Sequence, residues 1–229
     1  MIDIFNKNKI NNAFTLAEVL ITLGVIGVVA ALTMPSLINK IQEKQFHSKF
    51  KKSYAVFSQA AQKIYNEDGE FSVYEHSMWG EYLCKLGNHI KIAKSGTSCG
   101  NKYPYVRWHD NLQWYNQKGE PMSFFGNGAY ALNFTFITTD GTMYMLNCEN
   151  QVLIDVNGFK RPNKIGKDIY FFNLKSNTNQ PYYSSSMSVP GCYDNQYTKS
   201  VSITDTNYKT DCLSGSGWGC SRMVINNEL

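Results

Sequence analysis

Asp155, Asn157 and Asp168 place three oxygen-bearing side chains in one turn-rich stretch, Asp155-Val-Asn157-Gly158-Phe-Lys-Arg-Pro162-Asn163-Lys-Ile-Gly166-Lys-Asp168. Closely spaced hard oxygens are what calcium takes, about six to eight of them in flexible geometry, so these three are the candidate metal ligands. The same residues have a plainer use. Asn157-Gly158 and Pro162-Asn163 are turn formers, and aspartates beside them can cap backbone amides. The EF-hand register and its closing glutamate are absent, and Lys160, Arg161, Lys164 and Lys167 add opposing charge. Calcium is the one cofactor these residues suggest; nothing else in the chain calls for one.

A second residue with chemical potential is Glu18. It is the single ionisable side chain between Phe14 and Met34, inside the run AFTLAEVLITLGVIGVVAALTMPSLI from Ala13 to Ile38. About 20 apolar residues suffice to cross a bilayer as a helix. A lone carboxylate there costs about 2.5 to 3.5 kcal/mol near the bilayer centre, so it needs a partner. If the chain were cut between Ala13 and Phe14, the new α-amino group would lie about one helical turn from Glu18. The same group on a neighbouring chain could neutralise the acid.

These residues resemble the type IV pilin and type II secretion pseudopilin class. Its signature is a short charged leader, a small residue at the cut, then Phe-Thr-Leu-x-Glu opening a hydrophobic helix; here Ala13, Phe14, Thr15, Leu16, Ala17 and Glu18 stand in that order. Pro35 occupies the place of the class's helix proline. Glycine usually precedes the cut, and Ala13 departs from that; alanine is nearest to it in size, so cleavage is expected to survive. The resemblance implies removal of the leader by a prepilin peptidase and methylation of the new terminus at Phe14. It also implies a fold, a long helix laid on an antiparallel sheet. The segment from Asp155 to Asp168 looks like a loop seen in many pseudopilin-like proteins.

Simpler explanations of the apolar run explain less. A secretory signal would have a shorter core of about 7 to 15 residues with a small-x-small site behind it. A plain anchor leaves Glu18 unexplained. Lys7 and Lys9 ahead of the run place the amino terminus in the cytoplasm by the positive-inside tendency, although Lys40 and Lys44 beyond it weaken the bias. The body is then exported through the bacterial inner membrane toward the periplasm or cell surface.

Catalytic constellations are poor. His47, His76, His89 and His109 lack metal spacing, no Gly-x-Ser-x-Gly elbow or phosphate-cradling loop occurs, and Ser48 with Lys51 matches Ser-x-x-Lys only as solvent-facing helix residues. The chain reads as no enzyme. A net charge of +4 over 229 residues is too mild to argue for nucleic acid.

The elements that position these residues follow from periodicity. Leaving the leader (1–13) and the membrane and assembly helix (14–38) aside, about 190 residues remain for one exported body (39–229), enough for a real core. From Leu37 into it, Ile41, Phe46, Phe50, Tyr54, Phe57, Ala61 and Ile64 recur mostly three or four apart with lysines between them, an amphipathic helix over 39–66 ended by Gly69. Pro35 predicts a kink or a loosened turn. The connecting region 67–128 has no sustained period, with a helix expected across Ser77 to Gly87, and its aromatics are expected to pack beneath a long loop. Strand signals fill 129–175: Tyr130 to Thr138, a turn at Asp140-Gly141, Thr142 to Cys148, Val152 to Val156 and Ile169 to Leu174. The expected fold is α+β, with the helix on an antiparallel sheet of about four strands.

Cys84, Cys99, Cys148, Cys192, Cys212 and Cys220 all lie in the exported body, without Cys-x-x-Cys spacing, and so read as disulfides of an oxidising compartment. Six cysteines allow 15 connectivities. A sequential order would join Cys84 to Cys99, Cys148 to Cys192 and Cys212 to Cys220, stapling the region 176–229. The function expected is a filament subunit, with itself, other pilins or pseudopilins, the peptidase and the membrane as partners. The alternative is a minor or tip subunit binding a surface, DNA or a secreted protein; a membrane-tethered enzyme is a third, weaker class.

Overall fold

The computed structural model of the chain describes residues 15–69, 78–95, 113–122, 135–147, 151–175, 181–183, 186–188 and 202–229. Its first element is helix α1, Leu16–Asp68, 53 residues that run unbroken through Pro35, where the sequence predicts a kink or a loosened turn. Gly69 ends it in the left-handed conformation, φ 78°, which glycine adopts without a Cβ penalty. The chain divides into two units, Met1–Gln42 and Glu43–Leu229.

In the first unit, no helix face is buried. Val19, Leu20, Ile21 and Leu23 are 41, 61, 66 and 60% exposed, and Leu32 is 76% exposed. Successive residues point about 100° apart, so exposure at nearly consecutive positions means the helix is apolar and open all round. Among the described residues this is one helix long and apolar enough to span a membrane, with an 18-residue stretch of mean hydropathy 2.3 that has no buried residue.

The second unit begins with the rest of α1. Phe46, Phe50, Ser53, Phe57, Ala60, Ala61 and Ile64 form its buried seam, the apolar stripe expected from the sequence. Helix α2, Met78–His89, agrees with the expected helix and adds Tyr82, Leu83 and Leu86 to the same core. Strands β1 (Ile92–Ser95), β2 (Trp114–Tyr115) and β3 (Pro121–Met122) follow, then β4 (Thr135–Thr138), β5 (Met143–Asn147), β6 (Gln151–Asp155), β7 (Ile169–Leu174) and β8 (Pro181–Tyr182). The main sheet is antiparallel in the order β1-β4-β5-β6-β7-β8. Four of its strands are those anticipated. The count of about four is corrected to six by two short edge strands, β1 and β8, which carry too few residues to show an alternating pattern.

Strand register puts alternate side chains on opposite faces. Phe136, Tyr144, Val152, Ile154, Tyr170 and Phe172 face the helices. There Phe50 stacks on Tyr170 at 4.4 Å, and Phe57 meets Phe172 edge-on at 5.2 Å. Met143, Met145, Leu153, Ile169 and Phe171 point the other way into a second core with Trp114, Ile203 and Trp218. That second core is built by the tail: β9 (Ser186–Ser188), β10 (Ser202–Thr204), α3 (Tyr208–Ser214) and α4 (Cys220–Ile225). The sheet is therefore covered on both faces, which explains why β6 is buried along its whole length.

The tail is held by Asp211. Its Oδ1 accepts from the Ser216 N–H at 2.9 Å and the Ser216 hydroxyl at 2.7 Å, and its Oδ2 from the Gly219 N–H at 2.9 Å. Trp218 then packs edge-on against Phe171, centroids 5.0 Å apart. A disulfide joins Cys212 to Cys220, as the sequential order expects. Cys84 is also disulfide-bonded. Its expected partner Cys99, and the expected pair Cys148 and Cys192, lie outside the described residues.

Candidate functional site

Two places gather the residues singled out from the sequence: the start of α1 and the turn between β6 and β7. Ala13 and Phe14, the cleavage and methylation positions, lie outside the described residues. Glu18 is described, and Thr15 partners it, alongside the Phe14 amine that the sequence suggests as its charge partner. Its Oε2 accepts from both the N–H and the hydroxyl of Thr15 at 2.8 Å, while the Glu18 N–H donates back to the Thr15 hydroxyl oxygen at 3.2 Å. This is a capping box, in which N-cap and third residue satisfy each other's orphan amides. Its signal, Thr-x-x-Glu ahead of an apolar run, was present in the sequence. Both bonds fall on Oε2, so Oε1 has no hydrogen bond among the described residues and remains available to a cation.

The β6–β7 turn is built on backbone demands. Gly158 has φ 68°, and a Cβ there would meet the Gly141 carbonyl oxygen at 2.8 Å, so the turn lies tight against the β4–β5 hairpin. Asn163 is left-handed at φ 52°, which asparagine tolerates better than most residues, and the Arg161–Pro162 peptide is cis. The result turns both aspartates inward: Asp155 and Asp168 are each 0% exposed.

Their hydrogen bonds are those of turn caps. The Asn157 N–H donates to Asp155 Oδ1 at 3.1 Å, the Asn163 N–H to Asp168 Oδ2 at 2.8 Å and the Lys164 N–H to Asp168 Oδ1 at 2.6 Å. Burial pushes the Asp155 carboxyl well up from its ordinary range, and the neighbouring Asp168 charge pushes the same way. Burial raises Asp168 too, against the pull of the Lys164 and Asn163 amides. Lys49 on α1 donates from Nζ to the Val156 carbonyl at 3.3 Å and its charge partly offsets Asp155.

Three buried oxygens in this turn accept no hydrogen bond: Asp155 Oδ2, Asn157 Oδ1 and Asn163 Oδ1. Unpaired buried oxygens beside two carboxylates suit either a proton or a hard cation. The donor types therefore fit calcium. Of the candidate ligands, Asp155 and Asn157 would each offer one such oxygen, joined by Asn163, which the sequence suggests only as a turn former, whereas both Asp168 oxygens already accept backbone N–H groups. Among the described residues no three His, Cys, Asp or Glu side chains cluster as a metal centre.

The remaining polar residues have structural uses. His89 Nε2 lies 3.1 Å from Glu67. Burial pushes the His47 imidazole below its ordinary value. Ser48 is exposed, whereas Lys51, expected to face solvent, bonds Asn227 near the carboxyl terminus. His76 and His109 lie outside the described residues. No protein-family model, curated protein or solved structure matches the chain.

Proposed function

We propose that the chain is a structural subunit of a type IV pilus-like or type II secretion pseudopilus-like filament, processed before Phe14 and assembled through the first half of α1. The observation that carries this reading is the helix that starts at a capped acid and is then apolar and exposed on every face through Ile38. Such a surface is stable in lipid or among other apolar helices, and not in water. Packing many copies moves it from lipid into protein contact. The prepilin peptidase and the inner membrane are the partners this route requires.

Glu18 supplies register within that scheme. A carboxylate carried into an apolar filament core strongly favours an arrangement in which a charge partner meets it. Thr15 occupies Oε2, and the α-amino group of a neighbouring chain's Phe14 is the cation suited to Oε1. The body, with its doubly covered sheet, coats the outside.

The test is intact mass and amino-terminal sequencing of protein recovered from membranes of a host expressing its prepilin peptidase. A start at Phe14, heavier by about one methyl group, is the expected result. A start at Met1 refutes the proposal.

A further inference from the structure

A cleft of about 260 Å³ opens in the body between α1, the end of α2 and the β4–β5 hairpin. Every residue that lines it belongs to the second unit. Its floor is apolar. Val56 of α1 and the ring of Tyr144 pack against the first core, and Ile90, just past α2, is 4% exposed. The polar groups of its walls are already matched within the protein. The Tyr144 hydroxyl donates to the Ser53 carbonyl at 3.2 Å, the Ser53 hydroxyl to the Lys49 carbonyl at 2.8 Å, and the Thr138 hydroxyl to Asp140 Oδ1 at 2.6 Å. Lys52 Nζ lies 2.9 Å from Asp140 Oδ2, so that acid has its counter-charge. His89 faces Glu67 at 3.1 Å.

Two exposed groups at the rim stay unmatched. Among the described residues the Lys91 ammonium forms no ion pair and the Thr139 hydroxyl no hydrogen bond. They are neighbours, because the Thr139 N–H donates to the Lys91 carbonyl at 3.0 Å. The rim therefore carries one uncompensated positive charge beside a hydroxyl donor, above an apolar floor. That lining recognises a monoanion with an apolar body, since cation and hydroxyl take the charged group and the floor takes the rest. A second negative charge would find no second free cation and would face Asp140. Size sets the other limit. A cavity of about 150 Å³ holds benzene, so by proportion about 260 Å³ has room for roughly ten non-hydrogen atoms.

We infer that this cleft binds a small organic carboxylate, an aromatic or branched aliphatic acid of roughly ten non-hydrogen atoms. Its carboxylate sits on Lys91 Nζ and the Thr139 hydroxyl, and its apolar end on Val56, Ile90 and Tyr144. All these residues belong to the body, so binding does not depend on filament assembly.

The test is a titration of the detergent-solubilised full chain with phenylacetate, followed by NMR of labelled valine, isoleucine and threonine methyl groups. The Val56, Ile90 and Thr139 signals are expected to shift saturably with a Kd of a few millimolar or tighter, the affinity that roughly ten atoms support. Phenylacetamide, close in shape but neutral, is expected to bind at least about tenfold more weakly, the factor contributed by a hydrogen bond to a charged group. Lys91→Gln is expected to weaken phenylacetate by the same factor and leave phenylacetamide unchanged. The comparison of acid with amide uses the native chain alone, so it decides the matter should the variant misfold. No saturable shift at Val56 and Ile90 overturns the site. Equal affinity for acid and amide, or for native chain and Lys91→Gln, overturns the carboxylate's place on Lys91.

Discussion

Glu18→Gln and Thr15→Ala separate the two roles open to the Glu18 carboxylate. Glutamine keeps a side-chain oxygen for the N–H and hydroxyl of Thr15, which both reach Oε2 at 2.8 Å, so the helix start survives while the charge is lost. Alanine at position 15 does the reverse. It removes the hydroxyl that donates to Oε2 and accepts from the Glu18 N–H at 3.2 Å, but leaves the carboxylate charged. Losing a cap costs about 1 kcal/mol, roughly a fivefold change confined to one helix end. Removing one partner of a buried ion pair costs about 3 to 5 kcal/mol, upwards of a hundredfold in occupancy. In a host carrying tagged native and variant copies, the ratio of sheared filament to membrane-bound chain reads these costs directly. Glu18→Gln is expected to remain in the membrane and fall at least about a hundredfold in filaments, while Thr15→Ala stays within about fivefold of the native chain. Entry of E18Q within threefold of native would refute the charge-pairing argument, and equal exclusion of T15A would show that the cap, not the charge, sets assembly.

Other consequences concern the body. Asp155 and Asp168 have folded pKa values raised by burial, so between the unfolded and folded values the folded state holds more protons, and stability falls as pH rises through that window. Asp155→Asn is therefore expected to raise the urea midpoint at pH 7.5 and to remove part of the pH dependence these acids set, against which His47, its imidazole lowered by burial, acts in the opposite direction. Millimolar calcium is expected to raise the native midpoint at pH 7.5 and leave Asp155→Asn unchanged; isothermal calorimetry without heat in the native chain would remove calcium from the account. Phe57→Ala empties a fully buried site ringed by Tyr82, Tyr144 and Phe172 and is expected to cost about 3 to 5 kcal/mol in denaturant unfolding of the detergent-solubilised chain. Cys212→Ser with Cys220→Ser opens a staple spanning eight residues and is expected to cost about 2.5 kcal/mol by the same measurement.

By itself the sequence determined whatever is written in local patterns. The apolar run with one acid states its length and its need for a partner. The Phe and Tyr stripe states which face of α1 is buried, and the aromatic and β-branched runs around Asp140-Gly141 state the central strands. Thr-x-x-Glu stated the capping box as well, though the charge of Glu18 drew the reading toward a distant partner first. Tertiary structure alone decided the rest, because it depends on contacts between residues far apart in the chain. A tail rich in Ser, Asn and Gly shows no period, yet Asp211 and Trp218 fold it into the layer that covers the second face of the sheet. The short edge strands β1 and β8 exist only by pairing with a neighbour in the sheet. The turn from Asp155 to Asp168 reads in sequence as mixed charge that opposes a metal; only the left-handed Asn163 and the close approach of Gly158 to Gly141 turn its acids inward and leave its lysines outside. The physical reason is that periodicity records which side of an element is dry, whereas the direction of a single charge in a turn is set by backbone geometry and by what packs against it.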